Sequence, residues 1–135
     1  MKIRNLLDEI NYPAVKYPHI KRGLMEALQK QIREFIQARD WEQYHDPKNL
    51  SMALSVEAAE IAEIFQWKES HQSLTPEEVE GLRQEIGDVL VYLLELADKF
   101  QIDIIQAAQD KMVLNEKKYP AERVKGKAWK YTEYQ

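Results

Sequence analysis

Residues 75–100, TPEEVEGLRQEIGDVLVYLLELADKF, decide the fold. The first four, Thr75-Pro76-Glu77-Glu78, combine an N-cap, a proline in the first turn and the acidic residue of a capping box, so a helix begins here. Beyond them, apolar side chains occupy most sides of this helix up to about Phe100. A small domain has too few neighbouring elements to bury such a helix on every side. We therefore expect an oligomer whose interface is formed by the helices.

Three further helical segments flank this one, and no β-strand pattern competes with them. The first covers about residues 24–40 and has a regular apolar face. The second begins with an N-cap and a proline at residues 46–47 and ends near residue 67. The last runs over about residues 103–118. The sequence therefore predicts an all-α, four-helix bundle-like domain over residues 24–135, preceded by an N-terminal arm over residues 1–23.

Composition indicates a single soluble domain. The 135 residues are 44% hydrophobic and 31% charged, and there is no cysteine, which excludes disulfides and thiolate metal sites. No apolar run approaches the roughly 18 residues that span a membrane. The net charge of -4 disfavours binding to a nucleic-acid polymer, because that requires a basic surface. We expect a cytoplasmic protein with neither a membrane nor a nucleic-acid polymer as its partner.

Two acidic doublets lie on these apolar helices. Glu57 and Glu60 are three residues apart on the second helix, and Glu85 and Asp88 on the third. This spacing places both carboxylates of a doublet on one helical face. Removing a carboxylate from water costs on the order of several kcal/mol unless it is paired, and four together repel one another. Because all the ligand atoms would be oxygens, the pattern indicates Mg²⁺ or Mn²⁺.

Spacing alone leaves other interpretations open. Solvated acids on amphipathic helices have the same pattern. A di-iron centre would require Glu-x-x-His, and none of the three histidines lies three residues after a glutamate, so di-iron is disfavoured. Glu95 and Asp98 repeat the doublet, and Glu95 lies about 10 Å farther along the helix than Asp88. Helix geometry favours Glu85 and Asp88 over this competing pair without excluding it.

Aromatic side chains flank the doublets along the sequence. Trp41 and His45 precede the second helix, Trp67 follows its apolar part, and Tyr92 shares the carboxylate face of the third helix. Rings beside a phosphate-binding metal suit a nucleobase, since stacking contributes roughly 1–3 kcal/mol per base. Simple core packing is the alternative for each ring. Three polar side chains near the end of the last helix would either neutralise phosphates or only solvate the helix end. They are Lys111, Asn115 and Tyr119.

Several motifs together resemble the MazG-related all-α nucleotide pyrophosphohydrolases, and most closely their dCTP pyrophosphatase branch. They are RDWEQYH at 39–45, EAAEIAEIFQWK at 57–68, EIGDVLVYL at 85–93 and KMVLNEKKYP at 111–120. The resemblance covers about residues 24–133. It implies Mg²⁺-dependent hydrolysis of a (deoxy)nucleoside triphosphate to the monophosphate and pyrophosphate. The substrate it implies is dCTP or a related pyrimidine nucleotide.

The resemblance also implies roles for single residues. The metal ligands would be Glu57, Glu60, Glu85 and Asp88, with Mn²⁺ as a substitute for Mg²⁺, so Glu95 and Asp98 would not be the metal doublet. Base and sugar contacts would come from Trp41, His45, Trp67 and Tyr92. Phosphate contacts would come from Lys111, Asn115 and Tyr119. Family members form dimers or dimers of dimers, so we expect a homodimer or homotetramer.

Two questions stay open at this stage. A carboxylate that the metal does not use fully would accept the proton of the attacking water, and we assign this catalytic role to Glu60. Ile32 stands where the dCTP pyrophosphatase branch has a histidine, which leaves the preference for cytosine open. The alternative function is a catalytically silent helical oligomerisation or nucleotide-binding module.

Overall fold

The computed structural model describes residues 22–128. Over this range the chain forms five α-helices, one 3-10 helix and no β-strand, which confirms the all-α prediction. The predicted N-terminal arm lies outside the described residues except for its last two positions, which belong to the first helix. The elements in chain order are α1 (Arg22–Gln37), a 3-10 helix (Glu42–Tyr44), α2 (Pro47–Phe65), α3 (Pro76–Lys99), α4 (Ile104–Lys118) and α5 (Ala121–Val124).

Two short elements were not predicted. The ring-rich segment at residues 41–45 contains the 3-10 helix, and α5 lies beyond the last predicted helix. Both are shorter than one and a half turns of α-helix, so neither can produce an apolar period in the sequence. Within residues 22–128, no helix has both the length and the apolar composition that a membrane span needs.

Side chains cap the first turns of α2, α3 and α4. Asp46 accepts a hydrogen bond from the Asn49 amide at 2.9 Å. At the start of α3, Thr75 Oγ1 accepts from the Glu78 amide at 3.2 Å, and Glu78 Oε2 accepts from the Thr75 amide at 2.8 Å. Asp103 accepts from two amides in the first turn of α4, at 2.9 and 3.0 Å. These bonds satisfy amides that have no partner within their helix.

The principal packing is between α2 and α3, with a smaller contact between α1 and α3. Ile32 and Ile36 of α1 form a buried cluster with Leu94 of α3, and Leu50 is buried near the start of α2. Each fully buried side chain of this kind contributes about 1.5–3 kcal/mol through the hydrophobic effect. The cluster fixes α1 across the carboxyl-terminal part of α3.

α1 and α3 end in the same left-handed turn. After α1, the Trp41 amide donates to the Ile36 carbonyl at 3.1 Å and the Asp40 amide to the Gln37 carbonyl at 3.1 Å, while Asp40 has φ 54°. The same two bonds recur after α3, where Gln101 has φ 54°. This is the Schellman motif, in which glycine is usual at the left-handed position. The turn after α1 brings Trp41 back toward α1.

Much of the apolar surface of α3 remains exposed in the single chain. Val79, Ile86 and Leu93 are 51%, 53% and 39% exposed, and among the large apolar side chains of this helix only Leu94 is fully buried. Contiguous exposed apolar surface commonly marks an interaction site in soluble proteins.

Candidate functional site

Carboxylates from α2 and α3 meet in one acidic cluster. One oxygen each of Glu57, Glu85 and Asp88 lie within 4.8 Å of one another, with the two glutamates half-buried and the aspartate exposed. The three-residue spacing places Glu85 and Asp88 on one face of α3. The packing of α2 on α3 brings Glu57 against that face. The two doublets, 28 residues apart in the sequence, therefore form a single site.

Negative charge accumulates in this acidic cluster. Burial raises the pKa of Glu57, and the charges of Glu60 and Asp88 raise it further. Burial also raises the pKa of Glu85, followed by the charges of Glu60, Glu57 and Asp88. Among these charges, that of Glu60 raises the pKa of Glu85 the most. The cluster therefore favours bound protons or a bound cation, and its oxygen-only donors fit Mg²⁺ or Mn²⁺.

Tyr92 lies between the acidic cluster and Glu95. Asp88, Tyr92 and Glu95 occupy successive turns on one face of α3. Burial raises the pKa of Tyr92, and the charges of Glu57, Glu95 and Asp88 raise it further. The phenol is therefore close to carboxylates on both sides along the helix.

Both members of the competing doublet have basic partners. Glu95, 7% exposed, has its Oε2 atom 2.7 Å from Nδ1 of His45. Asp98 accepts two hydrogen bonds from the Arg33 guanidinium, at 2.7 and 2.8 Å. Paired in this way, the two carboxylates connect the segments that precede α2 to the end of α3. Within residues 22–128, neither Glu85 nor Asp88 has such a basic partner.

Trp41 and His45 belong to a stack of flat groups. The Arg39 guanidinium carbon lies 3.5 Å from the centroid of the Phe35 ring, and Phe35 contacts Trp41 edge-on at 5.9 Å between centroids. Trp41 in turn stacks on His45, with centroids 6.2 Å apart and an interplanar angle of 29°. Trp41 remains 42% exposed. The Trp41–His45 pair therefore presents a flat surface beside Glu95.

Trp67 is apart from this stack. Its side chain is 88% exposed, and within the described part of the chain it pairs with no other ring. The next residue, Lys68, has its Nζ atom 2.7 Å from Oε1 of Glu78. This ion pair holds the segment after α2 to the capped start of α3, so Lys68 has a structural partner.

The polar residues of α4 are not joined to the acidic cluster by the described contacts. Lys111 is exposed and Asn115 is half-buried, while α4 packs less extensively on the other helices than α2 does on α3. Tyr119 is 37% exposed, and the Lys118 ammonium lies 5.3 Å from the centroid of its ring. The structure thus brings Tyr92 close to the acidic cluster and Trp41 onto His45. Within residues 22–128, none of the contacts described above joins Trp67, Lys111 or Asn115 to the acidic cluster.

Three residues have roles that were not predicted from the sequence. Glu95 was considered only as a competing metal ligand, whereas it pairs with His45. Its position seven residues after Asp88 places it on the carboxylate face of α3, but no local pattern indicated its partner. Phe35 and Arg39 were missed as supports of Trp41, although their four-residue spacing indicates contact on a helix.

Comparison with known proteins gives consistent results. The model of the MazG-like family matches residues 52–134, which include most of α2 and all of α3, α4 and α5. Over 113 residues the chain is 41% identical to dCTP pyrophosphatase 1 of Bos taurus and 42% identical to that of Mus musculus. These alignments cover 81% of this chain, and 67% and 66% of the two relatives. The chain thus spans about two thirds of the length of these curated relatives.

A solved structure is also similar. A pyrophosphatase from Archaeoglobus fulgidus superposes with a TM-score of 0.63 at 46% sequence identity. The match covers 71% of this chain and 92% of that one.

Proposed function

This chain belongs to the MazG-like family, and we propose that it is a Mg²⁺-dependent nucleoside triphosphate pyrophosphohydrolase. It converts a (deoxy)nucleoside triphosphate, with dCTP or a related pyrimidine nucleotide as the preferred substrate, to the monophosphate and pyrophosphate. The observation that carries this proposal is the convergence of Glu57, Glu85 and Asp88 from two helices within 4.8 Å. The names of the relatives support the reaction and the choice of base.

The acidic cluster would hold the metal. Glu57, Glu60, Glu85 and Asp88 supply only oxygen donors, which suit Mg²⁺, and Mn²⁺ as its substitute. A bound cation would neutralise the triphosphate and lower the pKa of a coordinated water. The raised pKa values of Glu57 and Glu85 support this assignment, because a cation removes the repulsion that causes part of them.

Glu60 is the general base of the proposed reaction. It is exposed and lies outside the group of three oxygens within 4.8 Å, yet its charge raises the pKa of Glu85. This position leaves it less committed to a cation than its neighbours. Glu60 accepts a proton as the water oxygen bonds to the α phosphorus, and the bond from that phosphorus to the bridging oxygen breaks to release pyrophosphate.

Substrate contacts extend from the acidic cluster along α3. The Trp41–His45 pair offers a stacking surface for the base. Tyr92 lies between Glu95, which pairs with His45, and the acidic cluster. We assign the remaining contacts by family position: Trp67 to the base and sugar, and Lys111, Asn115 and Tyr119 to the phosphates.

We further propose that the active form is a homodimer or homotetramer in the cytoplasm. The exposed apolar side chains of α3 support assembly, and so does Trp67, whose ring is 88% exposed in the single chain. A partner that covers α3 would bury this surface and would bring side chains of a second chain toward the acidic cluster.

Product analysis tests the reaction. The protein is incubated with Mg²⁺ and each common dNTP or NTP, and the products are separated by anion-exchange chromatography. We expect a nucleoside monophosphate and pyrophosphate in equal amounts, most rapidly from dCTP. Release of orthophosphate with a nucleoside diphosphate, or no turnover of any nucleotide, would contradict the proposal.

A further inference from the structure

Glu95 is a buried carboxylate that the proposed metal site does not use. Within residues 23–128 it is the only charged side chain that is buried, at 7% exposure. A buried charge is costly unless it has a hydrogen-bonded partner. That partner is His45, whose Nδ1 atom lies 2.7 Å from Oε2 of Glu95 and whose side chain is 20% exposed.

This contact determines which nitrogen of His45 carries a proton. An ionised carboxylate only accepts hydrogen bonds, so Nδ1 of His45 must be the donor. In the neutral imidazole the other nitrogen, Nε2, then has a free lone pair and is an acceptor. Without Glu95 either nitrogen could carry the proton, so Nε2 would be a donor in part of the molecules.

The location of this pair suits the base end of a nucleotide. Glu95 is seven residues beyond Asp88, which is about 10 Å along α3, and Tyr92 lies between them. A nucleotide with its phosphates at the acidic cluster would extend its base in this direction. The pair borders an open cavity of about 100 Å³ whose other walls include the apolar Ile32 and Leu94.

We propose, on the premise of the function proposed above, that Glu95 is a positioning residue that keeps Nε2 of His45 as a hydrogen-bond acceptor. Nε2 accepts a hydrogen bond from the exocyclic amino group of the base. The site then selects cytosine over uracil, because uracil has a carbonyl oxygen at the ring position where cytosine has its amino group. Glu95 itself touches neither the reacting atoms nor the metal.

The tautomer of His45 can be measured without any nucleotide. Long-range ¹H–¹⁵N correlation spectra, recorded at a pH at which they show a single ring N–H proton on His45, report which ring nitrogen carries it. We expect the Nδ1–H form in the wild type and a mixture in Glu95→Gln, whose amide can accept or donate. Glu95→Met, which offers no hydrogen bond, should also give a mixture. An Nε2–H tautomer in the wild type would overturn the proposal.

Asp98→Asn is the matched control. It weakens the neighbouring Arg33 pair at the end of α3 but leaves the Glu95–His45 contact intact. We expect the tautomer of His45 and the nucleotide selectivity to be those of the wild type. A change in Asp98→Asn equal to that in Glu95→Gln would show a general effect of loosening α3, and would overturn the specific role of Glu95.

Selectivity is the second readout. The ratio of kcat/KM for dCTP to that for dUTP should favour dCTP in the wild type and fall by about tenfold or more in Glu95→Gln, as one hydrogen bond is lost. An unchanged ratio would contradict the proposal. If no nucleotide is turned over, the proposed function fails separately, and the ratio of the Kd values for dCMP and dUMP, measured by calorimetry, tests Glu95 instead.

Discussion

Glu85 is the residue at which the electrostatics of the acidic cluster are most directly tested. Glu85→Gln removes one charge from the cluster, so we expect a higher Tm than the wild type in EDTA. It also removes a ligand, so the Tm increase that Mg²⁺ causes should be lost. For an intact site, Mg²⁺ at about 100 times its Kd stabilises the folded state by about 2.7 kcal/mol. Differential scanning fluorimetry measures both effects.

The matched control is Glu63→Gln. Glu63 is exposed on α2, one turn beyond Glu60, and lies outside the group of carboxylates that converge. Its substitution should leave the Mg²⁺-dependent shift in Tm at the wild-type value. Equal shifts in Glu85→Gln and the wild type would mean that the cation binds elsewhere.

Gln101 occupies a backbone conformation that suits glycine. Its φ of 54° lies in the left-handed region, which costs a residue with a Cβ atom roughly 1–2 kcal/mol. Glycine at this position removes part of this conformational cost. Gln101→Gly should therefore increase the free energy of unfolding by about 0.5–1 kcal/mol in urea denaturation. Asp40→Gly should gain less, because the Asp40 carboxylate accepts a hydrogen bond from Gln43 at 3.1 Å. A loss of stability in Gln101→Gly would contradict the motif.

At the level of elements, the capping box of α3 has a second function. Glu78 accepts from the Thr75 amide at 2.8 Å and also pairs with Lys68 at 2.7 Å. The hydrogen bond from Lys68, followed by that from Thr75, lowers the pKa of Glu78 below its ordinary value of 4.5. One carboxylate therefore begins α3 and holds the segment after α2.

This lowered pKa predicts how stability depends on pH. Ionised Glu78 stabilises the folded state above its unfolded pKa, and the contribution is lost as pH falls through the folded pKa. Glu78→Gln should therefore have a lower Tm than the wild type at pH 7, with a difference that shrinks in acid below about pH 4. Glu77→Gln, exposed in the same turn, is the control. A difference that stays constant with pH would contradict the assignment.

Helices and their caps were predictable because their signals are local. Thr75 and Glu78 are three residues apart, and so are Asp46 and the amide it caps, so the sequence shows both partners together. The left-handed turns at Asp40 and Gln101 were not predicted, since neither position has the glycine that normally marks them. The same holds for the 3-10 helix, which is too short to have a period.

The candidate site was predictable only in part. The spacing of the acidic doublets indicated which carboxylates share a face, and the structure brings Glu57, Glu85 and Asp88 together. The role of Glu95 was not visible because its partner His45 is 50 residues away in the sequence. Such a contact depends on how α1, α2 and α3 pack, which no local pattern encodes.

For the whole molecule, the exposed apolar surface of α3 predicts association. Ile86 is 53% exposed, so Ile86→Lys should leave the single chain folded but place a charge in the interface that we propose. Sedimentation velocity should show a dimer or tetramer for the wild type and a shift toward monomer for the variant. Gln84→Lys, exposed on the same helix and four residues from Glu80, is the control. A wild type that sediments as a monomer would contradict the assembly.

The central claim is that water attacks the α phosphorus of a nucleoside triphosphate at the acidic cluster. Hydrolysis of dCTP with Mg²⁺ in ¹⁸O-labelled water, followed by ³¹P NMR, tests it most directly. We predict that ¹⁸O appears in the phosphate of dCMP, that pyrophosphate contains none, and that Glu85→Gln lowers the rate by about a hundredfold or more. Label in pyrophosphate or orthophosphate, or an undiminished rate in Glu85→Gln, would contradict the claim.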